Sequence, residues 1–273
     1  MSAQGNIGFI GLGSQGGPMA RRIVEAGFPT MLWARRAESL TPYADTAATY
    51  ADSPAALAAA CDIVCLCVVD DAGVRDMTAE MLPHMRSGAV LVIHSTVHPD
   101  TVRALASDAA AAGVDVLDAP VSGGGPGAAA GTLTVMAGGH DDVLARVRPV
   151  MESYAGLIAH LGDVGAGQAA KLVNNAMMAA NMAVADAAFR AADALNIAPQ
   201  ALAELVKVSS GRSFGFEIRA RMPDPMGWTH GAALLSKDVG LLSALLPDND
   251  GASRLDAAAQ PFLSPILAQD HGS

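Results

Sequence analysis

The amino-acid sequence predicts an α/β fold, with an N-terminal doubly wound, mainly parallel sheet followed by an all-α C-terminal domain. Three observations predict it. Up to about residue 160 short β-rich runs alternate with helical stretches, the pattern of crossover connections in a parallel sheet. After GDVGAG the texture changes, and from Gly167 onward only helical periodicity persists. Hydrophobic residues make up 51% of the 273 and charged residues 16%, enough for two cores. The domains are expected at 1–162 and 163–273, the second opening with a long interdomain helix.

The β-rich runs are NIGFIGLG, FPTMLWA, DIVCLCVV, AVLVIHS, VDVLDAP and TLTVMAGG. Between them PMARRIVEAG, DSPAALAAAC and PDTVRALASDAAAAG carry helical spacing. The long helix runs from QAAKLVNNAMMAANM into VADAAFRAADAL. It is apolar around most of its circumference and so is expected to be buried. The last residues, from Pro247, read as acidic and loosely specified.

Composition excludes several classes of function. A net charge of −10 disfavours nucleic acid as a partner, because phosphate binding needs a broad basic surface. No apolar run approaches the ~18–20 residues of a membrane span. The N-terminus has no secretory signal pattern, so a cytoplasmic location is expected. Cys61, Cys65 and Cys67 cluster in CDIVCLCVVD without the spacing of a thiolate metal site. They read as buried, reduced thiols, and no metal is expected.

IGFIGLGSQGGPMARRIVEAG sets Gly11, Gly13 and Gly16 in G-x-G-x-x-G between a strand and a helix. Gly11 permits the turn, Gly13 the approach of a pyrophosphate, and Gly16 close helix–strand packing. The loop Gly11, Leu12, Gly13, Gln15 and Gly16 is therefore expected to bind a dinucleotide in a Rossmann-like domain. The second strand ends in LWARRAE, with no carboxylate until Glu38. Arg35 and Arg36 present guanidinium forks suited to a 2′-phosphate. The expected cofactor is NADPH/NADP+, with NAD+ as the alternative.

DAPVSGGGPGAAAGTLTVMAGG reads as strand, glycine cluster, strand. Consecutive backbone N–H groups and the Ser122 hydroxyl can converge there on a small carboxylate. With GFIGLGSQG, GQAAKLVNN and LLSKDVGLL, this block resembles the β-hydroxyacid dehydrogenases, a family that includes 3-hydroxyisobutyrate dehydrogenases and short-chain semialdehyde reductases. The resemblance runs from residue 8 to about 242. It implies a substrate carboxylate loop at Ser122, Gly123 and Gly124, a catalytic lysine at Lys171 and a substrate-contacting amide at Asn175. It also implies Lys237 near both nicotinamide and substrate, and nicotinamide-side contacts at Val69, Asp70 and Thr96. Assembly as a homodimer or homotetramer through the helical domain is likewise implied. His94 departs from the usual Asp, and Ala34 from the Asn common in NADP-linked members. The C-terminus is expected to fall short of the family's usual final helical stretch.

Lys171 is the residue that an apolar helix must justify, since a buried ammonium group without a partner is costly. Lys171 and Asn175 lie four apart on one helix face, and Gly167 one turn earlier leaves that patch without a bulky side chain. As ammonium, Lys171 would donate to a substrate carbonyl oxygen and deliver its proton. Phe214 would line an apolar side of the pocket. Lys207, Arg212, Arg219, Arg221 and Lys237 form a local basic island able to attract an anion. The rival readings are an imine reductase of the same architecture, which the lysine disfavours, and a catalytically silent NADPH-binding protein.

Overall fold

The computed structural model describes residues 5–269. The chain divides into two compact units with the boundary between Lys171 and Leu172. The first contains β1 (Ile7–Ile10), α1 (Gly16–Glu25), β2 (Thr30–Trp33), β3 (Thr49–Tyr50), α2 (Pro54–Ala60), β4 (Ile63–Leu66), α3 (Asp71–Met81), β5 (Val90–Ile93), α4 (Pro99–Ala111) and β6 (Asp115–Asp118). It continues through β7 (Val121–Ser122), α5 (Gly124–Ala130), β8 (Leu133–Ala137), α6 (Asp141–Met151) and β9 (Ala155–His160).

Six strands form one sheet in the order β3-β2-β1-β4-β5-β6, and every pairing in it is parallel. Every residue of β1, β4 and β5 is buried, as expected where helices cover both faces. Side chains alternate between two cores with the strand period of two. Ile63 and Cys65 face the core built with Met19 and Ile23 of α1 and Val147 of α6. Val64 and Leu66 face the one built with Leu57 of α2 and Val102 and Leu105 of α4. Pro54 and Pro99 open α2 and α4, where the missing N–H costs nothing. Ser53 caps α2 by accepting from the Ala56 N–H at 3.1 Å.

A second sheet, β7-β8-β9, pairs β7 with β8 antiparallel and β8 with β9 parallel. Two features here differ from the sequence reading. The glycine cluster is not a bare connection between strands, because Gly124–Ala130 forms a helix. β9, in AGLIAH, was not foreseen as a strand.

α7 (Ala166–Ala194) begins in the first unit and continues into the second, which adds α8 (Pro199–Lys207), α9 (Phe214–Ala220), α10 (Thr229–Leu245) and α11 (Asp250–Ala268). Leu172, Ala176, Ala179 and Ala183 follow the 3.6-residue period and meet Leu235, Val239 and Leu242 of α10 and Phe262, Leu263 and Ile266 of α11. Burial of α7 is less complete than its composition predicts, since Val173, Met177 and Val184 are exposed in the single chain. The region after Pro247 is also more ordered than expected. Asn249 caps α11 by accepting from the Ala252 N–H at 3.0 Å, and the helix contributes Phe262, Leu263 and Ile266 to the core. Its last residues, from 270, lie outside the described ones.

Candidate active site

Apart from Lys237, which lies on the helix Thr229–Leu245, the residues expected to bind the cofactor follow the C-terminal ends of strands in the parallel sheet: Gly11–Gly16 after β1, Arg35 and Arg36 after β2, Val69 and Asp70 after β4, and Thr96 after β5. The strand order reverses between β1 and β4, the switch point at which doubly wound sheets bind ligands. Gly11 has φ 98°, and a Cβ there would run into the carbonyl oxygen of Cys67. A Cβ on Gly16 would strike the carbonyl of Gly11, whereas one on Gly13 would meet no protein atom within 4 Å. That is the division of labour a pyrophosphate loop needs, so these residues fit the dinucleotide. Arg35 and Arg36 are exposed, and Arg36 lies 3.9 Å from Glu38. Asp70 has a structural duty as well, since its Oδ1 caps α3 through the Gly73 N–H at 2.9 Å.

Ser122 ends β7 partly buried, followed by the exposed Gly123 and Gly124, both with positive φ. The two glycine loops lie against each other: a Cβ on Gly125 would come within 2.6 Å of the Ser14 carbonyl oxygen.

Lys171 is 8% exposed. The turn that carries it is tied to the sheet by two residues that sequence reasoning did not single out. Asp118, at the end of β6 and fully buried, accepts from the Gly165 N–H at 2.6 Å and the Gln168 N–H at 2.7 Å. Gln168, also fully buried, donates to the Ser95 carbonyl at 2.8 Å and accepts from the Val97 N–H at 3.0 Å. Burial pushes the Asp118 carboxyl up to about 6, against the opposing pull of the two N–H groups and Arg103. Gly167 does not open a patch beside Lys171, as the sequence reading supposed. A Cβ there would overlap the Met136 carbonyl and come within 2.8 Å of Asp118 Oδ2, so the glycine serves close backbone packing. A carboxylate closing a buried strand and a glutamine in an alanine-rich turn were the available signals.

In the second unit Asn175, 7% exposed, donates from Nδ2 to Asp238 Oδ2 at 2.6 Å and accepts from Asn174 at 3.1 Å. Asp238 is itself buried and pairs with Lys237 at 3.2 Å. This carboxylate thus orients Asn175 through Oδ2, while among the described residues its Oδ1 has only the ion-pair approach of Lys237 and no hydrogen bond; sequence reasoning missed its role. Phe214 opens α9 and is 56% exposed. The basic island is largely compensated from within. Arg219 pairs with buried Asp186 at 2.9 Å and lies over the Phe189 ring, and Arg221 pairs with Glu217 at 3.4 Å.

His94 is buried and stacks on Phe9, with Nδ1 2.7 Å from the Ala119 carbonyl and Nε2 3.3 Å from the Tyr154 hydroxyl. Burial lowers its pKa to about 4. Cys61 and Cys65 are buried and Cys67 partly so; burial raises Cys61 to about 11 and Cys67 to about 12. Among the described residues no cluster of His, Cys, Asp or Glu could hold a metal ion, and no helix is long and apolar enough to cross a membrane.

Comparison with known proteins agrees with this architecture. Residues 6–162 match the profile described as the NAD binding domain of 6-phosphogluconate dehydrogenase. Residues 165–273 match that described as NAD-binding of NADP-dependent 3-hydroxyisobutyrate dehydrogenase. The chain is 34% identical to 2-(hydroxymethyl)glutarate dehydrogenase from Eubacterium barkeri over 86% of its own length and 80% of that protein's. It is 32% identical to 3-hydroxyisobutyrate dehydrogenase from Pseudomonas aeruginosa over 95% of its own length and 91% of that protein's. Among solved structures, 3-hydroxyisobutyrate dehydrogenase from Mycobacterium tuberculosis with L-serine superposes with a TM-score of 0.82 at 28% identity, covering 98% of this chain and all of that one. On the strength of both domain matches and of relatives aligned along most of its length, the chain belongs to the β-hydroxyacid dehydrogenase family, the NAD(P)-dependent oxidoreductases that include 3-hydroxyisobutyrate dehydrogenase.

Proposed function

We propose that the protein interconverts a small 3-hydroxyacid and the corresponding semialdehyde or oxoacid with NADP(H), using Lys171 as general acid and base. The observation that carries this reading is a nearly buried lysine on a helix turn hydrogen-bonded, through Gln168, to residues directly after β5, the strand edge at which doubly wound sheets bind their ligands. Bound NADPH supplies hydride to the carbonyl carbon. Lys171, as ammonium, donates to the carbonyl oxygen, stabilises the negative charge that develops there and leaves its proton on the product hydroxyl. In the oxidative direction neutral Lys171 takes the hydroxyl proton.

Ser122 with the N–H groups of Gly123 and Gly124 holds the substrate carboxylate. Asn175, with Nδ2 engaged by Asp238, keeps a carbonyl lone pair for the substrate hydroxyl. Lys237 adds positive charge, and Phe214 an apolar wall. Arg35 and Arg36 favour the 2′-phosphate of NADP(H). The exposed Val173, Met177 and Val184 favour pairing of helical units in a homodimer or homotetramer.

The test measures NADPH and NADH oxidation with glyoxylate and with succinic, methylmalonate and tartronate semialdehydes, and the reverse reaction with 3-hydroxyacids. The expected result is turnover with at least one pair, preference for NADPH, and loss of ~10²–10⁴ in kcat for Lys171→Ala at unchanged cofactor affinity. Near-normal turnover in Lys171→Ala sinks the assignment, and activity confined to cyclic imines points to the imine-reducing reaction.

A further inference from the structure

We infer that Asp118 and Gln168 are positioning residues for Lys171, which clamp the first turn of α7 onto the ends of β6 and β5 and so set where the ammonium group stands. The inference rests on the reading of Lys171 as the proton donor.

The first N–H groups of a helix have no partner within it and must find one elsewhere. At α7 two of these groups, on Gly165 and Gln168, converge on the two oxygens of a single carboxylate. Capping by an exposed serine or aspartate fixes a helix end loosely. This carboxylate is sealed in the sheet unit, and its own backbone is bonded to Gly138 through Asp118 N–H to Gly138 O at 3.1 Å and Gly138 N–H to Asp118 O at 2.8 Å. The turn therefore cannot slide along its axis without breaking bonds at both oxygens.

Rotation is restrained separately. The Gln168 side chain leaves α7 to bond the backbone on both sides of Thr96, at Ser95 O and Val97 N–H. Residues three and four apart share a helix face, so Lys171 projects on the side that carries Gln168 and Gly167. Its stem points back over the turn that these bonds immobilise. Gly138 and Gly167 complete the clamp. A Cβ on Gly138 would come within 2.8 Å of the Gly167 nitrogen, and one on Gly167 would overlap the Met136 carbonyl, so main chain lies directly on main chain.

The same strand connection links this clamp to the proposed carboxylate loop. Asp118 precedes Ser122 by four residues, in DAPVS. The group that holds the substrate acid and the turn that offers the proton are thus referenced to one rigid point of the sheet. Misplacing a reacting group by about 1 Å can cost ~10²-fold in rate, so a clamp of this kind acts on kcat rather than on cofactor binding.

The experiment is a double-mutant cycle on kcat with NADPH and the best semialdehyde, using Asp118→Asn, Lys171→Ala and the double variant. Asn offers one acceptor and turns an NH₂ group toward a backbone N–H, so one of the two bonds is lost with little change in volume. Asp118→Asn is expected to lower kcat by ~10–10²-fold with NADP+ affinity within about threefold of wild type. In the Lys171→Ala background the same substitution is expected to change the residual rate by less than about twofold, because no ammonium group remains to be misplaced. A carboxylate that merely supports the fold would lower both rates alike, and that result overturns the inference. So does wild-type kcat in a folded Asp118→Asn enzyme whose Lys171→Ala counterpart is inactive, an outcome that leaves the lysine reading intact. Near-normal turnover in Lys171→Ala itself removes that reading and this inference with it. Gln168→Met, which keeps the carboxylate, repeats the cycle if Asp118→Asn does not fold, with the same two outcomes.

Discussion

Asp118 and Asp238 are carboxylates sealed from water, one in each compact unit, and each bonds a residue of α7. Asp118 accepts from backbone N–H groups at the start of that helix, on Gly165 and Gln168, whereas Asp238 accepts from the side-chain amide of Asn175 and forms an ion pair with Lys237. A carboxylate bonded to main chain fixes where a helix begins. One bonded to side chains fixes which way those side chains face and leaves the helix axis to apolar packing. The difference teaches that burial alone does not tell a scaffold carboxylate from an orienting one; the kind of donor does.

The largest expected effect separates the two on stability. Asp118→Ala leaves two buried N–H groups without an acceptor and should lower unfolding free energy by ~2–4 kcal/mol, read as a shift of the urea midpoint at constant slope. Asp238→Ala should cost about half as much, because Lys237 is partly exposed and can turn to water. Equal losses would erase the distinction. On activity the pattern differs in kind. Asp238→Asn frees the Asn175 amide to rotate and should raise KM for the acid about tenfold with kcat little changed, as expected when ground-state contacts are lost. A fall in kcat without a change in KM would instead align Asp238 with the lysine turn.

Titration sharpens the contrast between Asp118 and the neighbouring buried histidine. The His94 pKa is about 4 in the fold against an ordinary 6.5, so the unfolded chain binds more protons between those values and the stability owed to His94 is lost as pH falls. For Asp118 the order is reversed, about 6 against 3.8, so the native state binds more protons and stability is lost as pH rises through that window. Measured between about pH 4 and 6, the stability of wild type relative to His94→Gln should rise with pH by up to ~1.4 kcal/mol per unit. Relative to Asp118→Asn it should fall by a similar amount. Slopes of the same sign would show that one carboxyl or imidazole titrates elsewhere. The smallest effect calibrates the clamp: Ser53→Ala removes an exposed cap and should cost ~1 kcal/mol or less in the same urea assay.

Much of the first unit was legible because a buried parallel strand writes itself as a short, β-branched, apolar run and a pyrophosphate turn as spaced glycines. Six of the nine strands among the described residues were read in this way. β9 escaped because AGLIAH is half exposed and carries three small residues, so neither the continuous nor the alternating pattern is strong. GGPGAAA reads as a loop by propensity, yet its proline sits in the first helical turn, where the lost N–H is harmless. α11 escaped for a related reason. Pro261 and Pro265 argue against a helix, but burial of Phe262, Leu263 and Ile266 outweighs them. For the candidate site, local motifs pointed to Lys171, Asn175 and the glycine loops. The only local sign of Asp118 was a carboxylate closing a buried strand, and that did not reveal its partners, which lie 47 and 50 residues away. The role of Asp238 was equally hidden, since Asn175 is 63 residues from it.

The three thiols before, on and after β4 have a practical consequence for handling the protein. Only a thiolate reacts appreciably with alkylating agents or peroxide, and burial keeps Cys61 and Cys67 protonated far above neutral pH. The folded enzyme should therefore tolerate iodoacetamide and air without added reductant. Sudden sensitivity to either reagent would serve as an early sign that the sheet has begun to open.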